Sequence, residues 1–160
     1  TVSRMKSSKV GLRKESIQFS DMLKQEYALF EDLIVQKGIE WNESITPNLC
    51  VVGDKALLQK AINNLVSNAI AYSPEGSSIY LTAFAEEGSV QFLLENTGVH
   101  IPDSEIPKLF DAFYRVEHSR NKKTGGSGLG LYIVKTILEQ HQAEYRIENT
   151  NRGVLFTIQF

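Results

Sequence analysis

Asn64 and Asn68 stand in a stretch whose apolar residues Leu58, Ile62, Leu65 and Ala69 recur at helical spacing. On a helix turning about 100° per residue, the two carboxamides project along one stripe beside the apolar face. A hard cation such as Mg²⁺ keeps water and phosphate oxygens around it and takes only one or two protein oxygens, so a neutral amide beside a nucleotide's phosphates suffices. The spacing alone is weak evidence, because solvated helix faces carry such pairs with no ligand. A second cluster, Gly125-Gly126-Ser127-Gly128-Leu129-Gly130, runs directly into an apolar-periodic stretch with Leu131, Ile133, Val134, Ile137 and Leu138. Glycines let backbone N–H groups turn toward an anion, and a helix N-terminus adds partial positive charge, which together make a phosphate cradle. It is not a Walker loop, which needs Lys-Ser or Lys-Thr where Leu131-Tyr132 stands, nor a dinucleotide fold, whose glycines follow a strand rather than Ser119 to Thr124. A third segment, Glu95-Asn96-Thr97-Gly98-Val99-His100-Ile101-Pro102, reads as a strand exit in which Asn96 offers both an acceptor and donors, enough to read the edge of a base. Arg115 supplies a cation opposite the phosphate cradle.

The elements that must position these groups follow from periodicity. Met22, Leu23, Tyr27, Phe30, Leu33 and Ile34 predict a helix from Ser20, as N-cap, to Lys37, with Gly38 just beyond. Short strands are expected over 39–45 and 49–52, with Pro47 and Asn48 turning between them. A second helix runs from Asp54 to Tyr72 and stops at Ser73-Pro74. The alternation Ile79-Leu81-Ala83 and Val90-Phe92-Leu94 about Glu86 to Ser89 predicts an antiparallel hairpin. An irregular segment from Asn96 to Gly128 holds a short helix near Ser104 to Phe113, suggested by Ile106, Leu109, Phe110 and Phe113. A third main helix spans Leu129 to His141, and a hairpin of 145–148 with 154–160 closes the chain. Strands and helices mix without regular βαβ alternation, so the expected class is an α+β two-layer sandwich. Residues 1–13 are polar and basic and read as a linker, with the folded domain over 14–160.

With 160 residues, 42% of them hydrophobic, the chain has enough apolar material for one core. Lys+Arg number 17 against 19 Asp+Glu, a net charge of −2 that points to neither nucleic acid nor an anionic membrane as main partner. No apolar run approaches the roughly 20 residues that cross a bilayer, so the piece is expected to be soluble. The one cysteine, Cys50, sits in the run Leu49-Cys50-Val51-Val52 and is expected to be buried and chemically idle, in keeping with a reducing cytosol.

These motifs occur together and in a fixed order, which no single motif provides. The chain resembles the catalytic, ATP-binding domain of bacterial sensor histidine kinases within the wider GHKL group of ATPases and kinases. Asn64-Leu65-Val66-Ser67-Asn68-Ala69-Ile70-Ala71-Tyr72-Ser73-Pro74 resembles the family's N box and Asn96-Thr97-Gly98-Val99-His100-Ile101-Pro102 its first glycine box. Lys108-Leu109-Phe110-Asp111-Ala112-Phe113-Tyr114-Arg115 resembles its F box, and Gly126-Ser127-Gly128-Leu129-Gly130-Leu131 its second glycine box. The likeness runs from Leu12 to Phe160. It implies the GHKL, or Bergerat, fold: a mixed, mostly antiparallel sheet covered on one face by three helices. It also implies ATP and Mg²⁺ as cofactors. Asn68 would be the Mg²⁺ ligand, Asn64 a phosphate or metal contact with a catalytic part, and Tyr72 a wall of the adenine pocket. Asn96 and Gly98 would lie on the base, Arg115 would touch the γ-phosphate from a lid, and the backbone of Gly126, Gly128, Leu129, Gly130 and Leu131 would hold the phosphates.

Three departures from the family pattern bear on affinity. The adenine-reading Asp is Asn96, the second glycine of that box is His100, and a lysine common in the N box is Ala71. Modest ATP binding is expected. Related ATPases place a water-activating Glu at the first N-box position, where this chain has Asn64, so rapid hydrolysis is not expected. The phosphoacceptor would be a histidine on a dimerisation domain that the chain lacks, since His100, His118 and His141 lie in the catalytic module. The implied partners are that domain and a response regulator, with a monomeric fragment, a homodimeric parent protein and a cytoplasmic position below a membrane anchor. Tyr132-Ile133-Val134-Lys135 and Tyr145-Arg146-Ile147-Glu148-Asn149-Thr150 are similar to Gram-positive sensors of the VanS type. Two other readings stay open: a GHKL serine kinase or ATPase, and a binding module whose nucleotide site has decayed.

Overall fold

The computed structural model describes residues 11–111 and 130–160. Strand β1 (Lys14–Gln18) leads into helix α1 (Phe19–Gln36), followed by β2 (Glu40–Ile45), β3 (Cys50–Asp54) and helix α2 (Lys55–Tyr72). The hairpin β4 (Ser78–Glu86) and β5 (Ser89–Thr97) comes next, then a single 3-10 turn at Ile106–Lys108, helix α3 (Gly130–Gln140), β6 (Glu144–Asn149) and β7 (Gly153–Gln159). Five strands form one sheet in the order β2-β4-β5-β7-β6, and β1 pairs with β3 in a separate ribbon. Among the described residues only the β2–β4 pair is parallel. The sheet is therefore mixed and mostly antiparallel, as the motifs implied.

One core joins the two layers. Ile79, Leu81 and Ala83 of β4, Phe92 and Leu94 of β5, and Phe156 and Ile158 of β7 alternate onto the buried face. They meet the predicted stripe Leu58, Ile62, Leu65 and Ala69 of α2, together with Met22 and Leu23 of α1 and Val134, Ile137 and Leu138 of α3. Burying each large aliphatic side chain contributes roughly 1.5–3 kcal/mol. The β4–β5 turn uses Glu87 at φ 49° and Gly88 at φ 81°, two consecutive left-handed residues that match the twist of a two-residue hairpin.

Helix ends show how α2 is held. Asp54 accepts the Leu57 N–H at its N-terminus (3.2 Å), and its own N–H is received by His141 Nε2 (2.9 Å) from the end of α3. That donor fixes the imidazole as the tautomer whose Nδ1–H donates to the Ile137 carbonyl (2.8 Å). At the other end the Ser73 hydroxyl donates to the Ala69 carbonyl (2.6 Å), Pro74 prevents continuation, and Lys37 Nζ donates to the Ile70 (2.7 Å) and Ala71 (3.2 Å) carbonyls. Gly38 ends α1 at φ 64°, with Gly38 N–H on the Val35 carbonyl and Ile39 N–H on that of Ile34, the Schellman pattern.

Several sequence expectations are corrected. Ser20 is not a cap: α1 begins one residue earlier, and the buried Ser20 hydroxyl donates to the Thr46 carbonyl (2.6 Å) and accepts the Leu49 N–H (2.8 Å), tying the β2–β3 turn to the helix. Cys50 is exposed, because β3 alternates: Leu49 and Val51 face the core while Cys50 and Val52 face out. Leu33 also points outward, 48% exposed. The helix expected from Ser104 shrinks to the 3-10 turn within the described residues, although Leu109 is buried. Strand β1 lies within the expected domain but no pattern in the sequence predicts it.

Candidate functional site

Two close approaches bring the motifs together. Gly130, the first residue of α3, lies so near Asn68 that a Cβ on it would stand 3.1 Å from Asn68 Nδ2 and 3.6 Å from Oδ1. The N-terminus of α3, with its outward backbone N–H groups and partial positive charge, thus opens beside the amide of Asn68. Gly98, at φ 81°, lies against the end of α2, its virtual Cβ 3.2 Å from Pro74 Cγ. Gly130 from the end of the second glycine box and Gly98 from the first therefore both meet the C-terminal half of α2, which carries the N box.

Within this arrangement Asn64 and Asn68 are half-buried on α2, with Ser67 exposed between them, and Tyr72 is half-buried one turn further on. Asn96 lies on β5 between Ile79 of β4 and Val154 of β7, 7% exposed. Leu131 packs against the core and Gly130 is half-buried. Arg115, Gly126, Gly128 and Leu129 lie outside the described residues, as do Phe113 and His118 of the sequence reading.

His100 does not simply thicken the loop. It is exposed, and its Nε2 lies 2.9 Å from the Thr150 carbonyl, so the ring is held on the β6–β7 turn. Thr97 fixes the strand exit on the other side, its hydroxyl donating to the Ser78 carbonyl (3.1 Å) and accepting the Ser78 N–H (2.9 Å). Two participants went unnoticed in the sequence. Lys37 caps α2 beside Ala71, where the family's lysine is missing; burial draws its ammonium below the ordinary lysine value, and Glu75 partly restores it. Asn149 grips the loop from β6. No local pattern marks either, because their partners lie far away in the chain.

The donor set fits a phosphate-bound hard cation rather than a protein-caged one. Among the described residues no group of three or more His, Cys, Asp or Glu is placed to hold a metal, so an ion here would depend on neutral amide oxygens and the ligand's own phosphates. No described helix is long and apolar enough to cross a membrane. A groove lined by Lys24, Tyr27, Ile34, Val35, Ile39, Trp41 and Glu43 lies at α1 and β2 and includes none of the motif residues.

Comparison with known proteins agrees with this fold. The model of a family described as histidine kinase-, DNA gyrase B-, and HSP90-like ATPase matches residues 53–160. Sensor histidine kinase CusS of Escherichia coli (strain K12) is 36% identical over 145 residues, covering 91% of this chain and 30% of that protein. Sensor protein VanSB of Enterococcus faecalis is 42% identical over 129 residues, 79% of this chain and 28% of that protein. The chain thus spans about 30% of the length of the curated relatives it matches. The solved catalytic domain of histidine kinase ThkA superposes with a TM-score of 0.82 at 25% identity, over 92% of this chain and 95% of that one. ThkA in complex with response regulator protein TrrA gives a TM-score of 0.79 at 25% identity, over 93% of this chain and 42% of that one.

Proposed function

This chain belongs to the histidine kinase-, DNA gyrase B-, and HSP90-like ATPase family, and on that premise we propose that it is the ATP-binding catalytic module of a two-component sensor histidine kinase. The observation that supports the reading is the seat of Gly130 on Asn68, a helix N-terminus beside a side-chain amide, which is an arrangement suited to a triphosphate and its cation. Asn68 would hold Mg²⁺ through Oδ1, and Asn64 would donate its amide N–H to a phosphate oxygen. The ion, when bound, supplies charge neutralisation on the phosphates. Asn96 would pair with the adenine edge, with Tyr72 and Gly98 beside the base. Arg115 and the backbone from Gly126 to Leu131 are assigned to the phosphates from their place in the motifs.

With an amide rather than a carboxylate at Asn64, nothing at that position withdraws a proton from water, which favours holding the γ-phosphate for transfer over hydrolysis. The acceptor would be a histidine nitrogen on a dimerisation domain outside this chain: a P–N bond forms, the β–γ bridging P–O bond breaks, and ADP leaves. A response regulator would then receive the phosphate, a partner of the kind seen with ThkA. A cytoplasmic position beneath a membrane anchor, in a homodimeric parent, completes the reading.

Calorimetric titration with ATP, with ATP plus Mg²⁺ and with GTP plus Mg²⁺ tests it. Saturable, adenine-selective binding strengthened by Mg²⁺ is expected. No heat with any nucleotide in the millimolar range would overturn the reading.

A further inference from the structure

We propose that the β6–β7 turn is a brace for the base-reading loop and that Asn149 is its positioning residue, acting on nucleotide affinity through Asn96; this rests on the ATP reading above. Ile79, Asn96, Val154 and Asn149 form one cross-strand row over β4, β5, β7 and β6, so Asn96 and Asn149 share the helix-covered side of the sheet. From β6, at the sheet's edge, Asn149 treats Ile101 as a strand neighbour would. Its Oδ1 accepts the Ile101 N–H (2.8 Å) and its Nδ2 donates to the Ile101 carbonyl (2.7 Å), with a longer bond to Asp103 Oδ1 (3.3 Å).

Two more bonds repeat the attachment along the loop. His100 Nε2–H donates to the Thr150 carbonyl (2.9 Å), and Gly98 N–H donates to the Arg152 carbonyl (2.9 Å). Residues 98, 100 and 101 are thus fastened in turn to 152, 150 and 149.

The turn itself is anchored to the strand that carries Asn96. Thr150 Oγ1 donates to Glu95 Oε2 (2.7 Å) and accepts the Gly153 N–H (3.0 Å). Arg152 donates from Nε (3.0 Å) and Nη2 (2.7 Å) to Glu95 Oε1, and its guanidinium lies 4.1 Å over the Tyr80 ring. Gly153 has no room for a side chain, since a Cβ there would overlap the Asn96 carbonyl oxygen. On its other flank the loop meets Pro74, so it is held from both sides.

The physical need for such a brace lies in Asn96. A neutral amide makes a weaker hydrogen bond to a base than a carboxylate does, so affinity depends more on how little the loop must reorganise. A rigid frame lowers that cost without adding a contact to the ligand.

The test is a double-mutant cycle read by the ATP dissociation constant in the presence of Mg²⁺. Asn149→Ala should weaken ATP about tenfold, the size expected from losing one or two neutral hydrogen bonds. In an Asn96→Ala background the same change should have little effect, while in an Asn68→Ala background it should keep its full effect. His100→Ala, at an exposed side chain, should give a smaller loss with the same pattern, and it serves if Asn149→Ala does not fold. Equal losses in all backgrounds would make the turn merely structural, and unchanged affinity in both variants would overturn the brace outright. A wild-type chain that binds no ATP would instead overturn the nucleotide reading itself.

Discussion

Gln59 and Asn63 stand one helical turn apart on α2, and so do Asn64 and Asn68, yet the two amide pairs meet opposite surroundings. The first pair turns toward α1 and closes on Glu26, a carboxyl with 0% exposure. Gln59 Nε2 donates to Glu26 Oε2 (3.1 Å), and the amide of Asn63 lies 2.6 Å from the same oxygen. When Glu26 is ionised the Asn63 nitrogen donates to it, and when it is protonated its O–H donates to the Asn63 oxygen, a half-turn of the amide exchanging the two. In the second pair Asn68 lies beside the first residue of α3, Gly130, which has no side chain to close on it. Identical spacing on one helix thus gives a structural cluster where an opposing side chain closes it and, on the proposed reading, a binding site where the opposing residue has none.

The largest expected effect separates the pairs by pH. Burial pushes the Glu26 carboxyl from 4.5 up to about 7, the hydrogen bond from Gln59 pulling the other way. Between those values the folded chain keeps a proton that the unfolded chain has released, so this group makes stability fall as pH rises through the window. Its full penalty, about 3 kcal/mol, is present above about 7 and is gone below the unfolded value. Glu26→Gln should therefore melt higher than wild type at about pH 8 and show a flatter dependence down to about pH 5. Parallel curves for the two proteins would mean that the cluster does not set the response.

A crossed substitution is the next largest. Asn68→Ala should cost Mg²⁺-ATP binding about 2 kcal/mol, in line with hydrogen bonds and ligands to charged groups, while moving the melt by no more than about 0.5 kcal/mol. Asn63→Ala should do the reverse, destabilising the fold by about 1–2 kcal/mol through a buried carboxyl left short of a partner, with ATP affinity unchanged. Denaturant melts and calorimetry on both variants decide it. If each change moved both quantities, the division of α2 into a structural and a binding side would fail.

Much of this was legible in advance where the signal is local. The α2 stripe Leu58, Ile62, Leu65 and Ala69 packs as its period requires, the stops at Asp54 and Ser73-Pro74 stand where capping chemistry puts them, and Gly88 marks the hairpin. What was missed depends on distant partners. β1 buries only Ile17, so it shows no alternation, and its existence rests on pairing with β3. Ser20 resembles a cap until Thr46 and Leu49 claim its hydroxyl. Glu26 looks like any solvated helix glutamate, and Asn149 reaches a loop 48 residues away. The candidate site shows the same division: Asn64, Asn68, Asn96 and the glycines could be proposed as ligand contacts from the sequence, whereas Lys37 and Asn149, which fasten the elements around them, could not.

Gly130→Ala gives the smallest effect and the sharpest one, because its two consequences carry opposite signs. Alanine removes the conformational entropy that glycine loses on entering a helix, an advantage of up to about 1 kcal/mol in a helix interior and less in the first turn. The added methyl would stand 3.1 Å from Asn68 Nδ2, tighter than side chains ordinarily pack, so the amide must move by a few tenths of an ångström. Displacing a ligand by that distance at a cation site should weaken Mg²⁺-ATP binding by roughly 1 kcal/mol. The expected variant is thus equal or higher in its melt and about fivefold poorer in affinity. Should it bind ATP as well as wild type does, Asn68 has room to spare, and the glycine at the head of α3 is not there for the ligand.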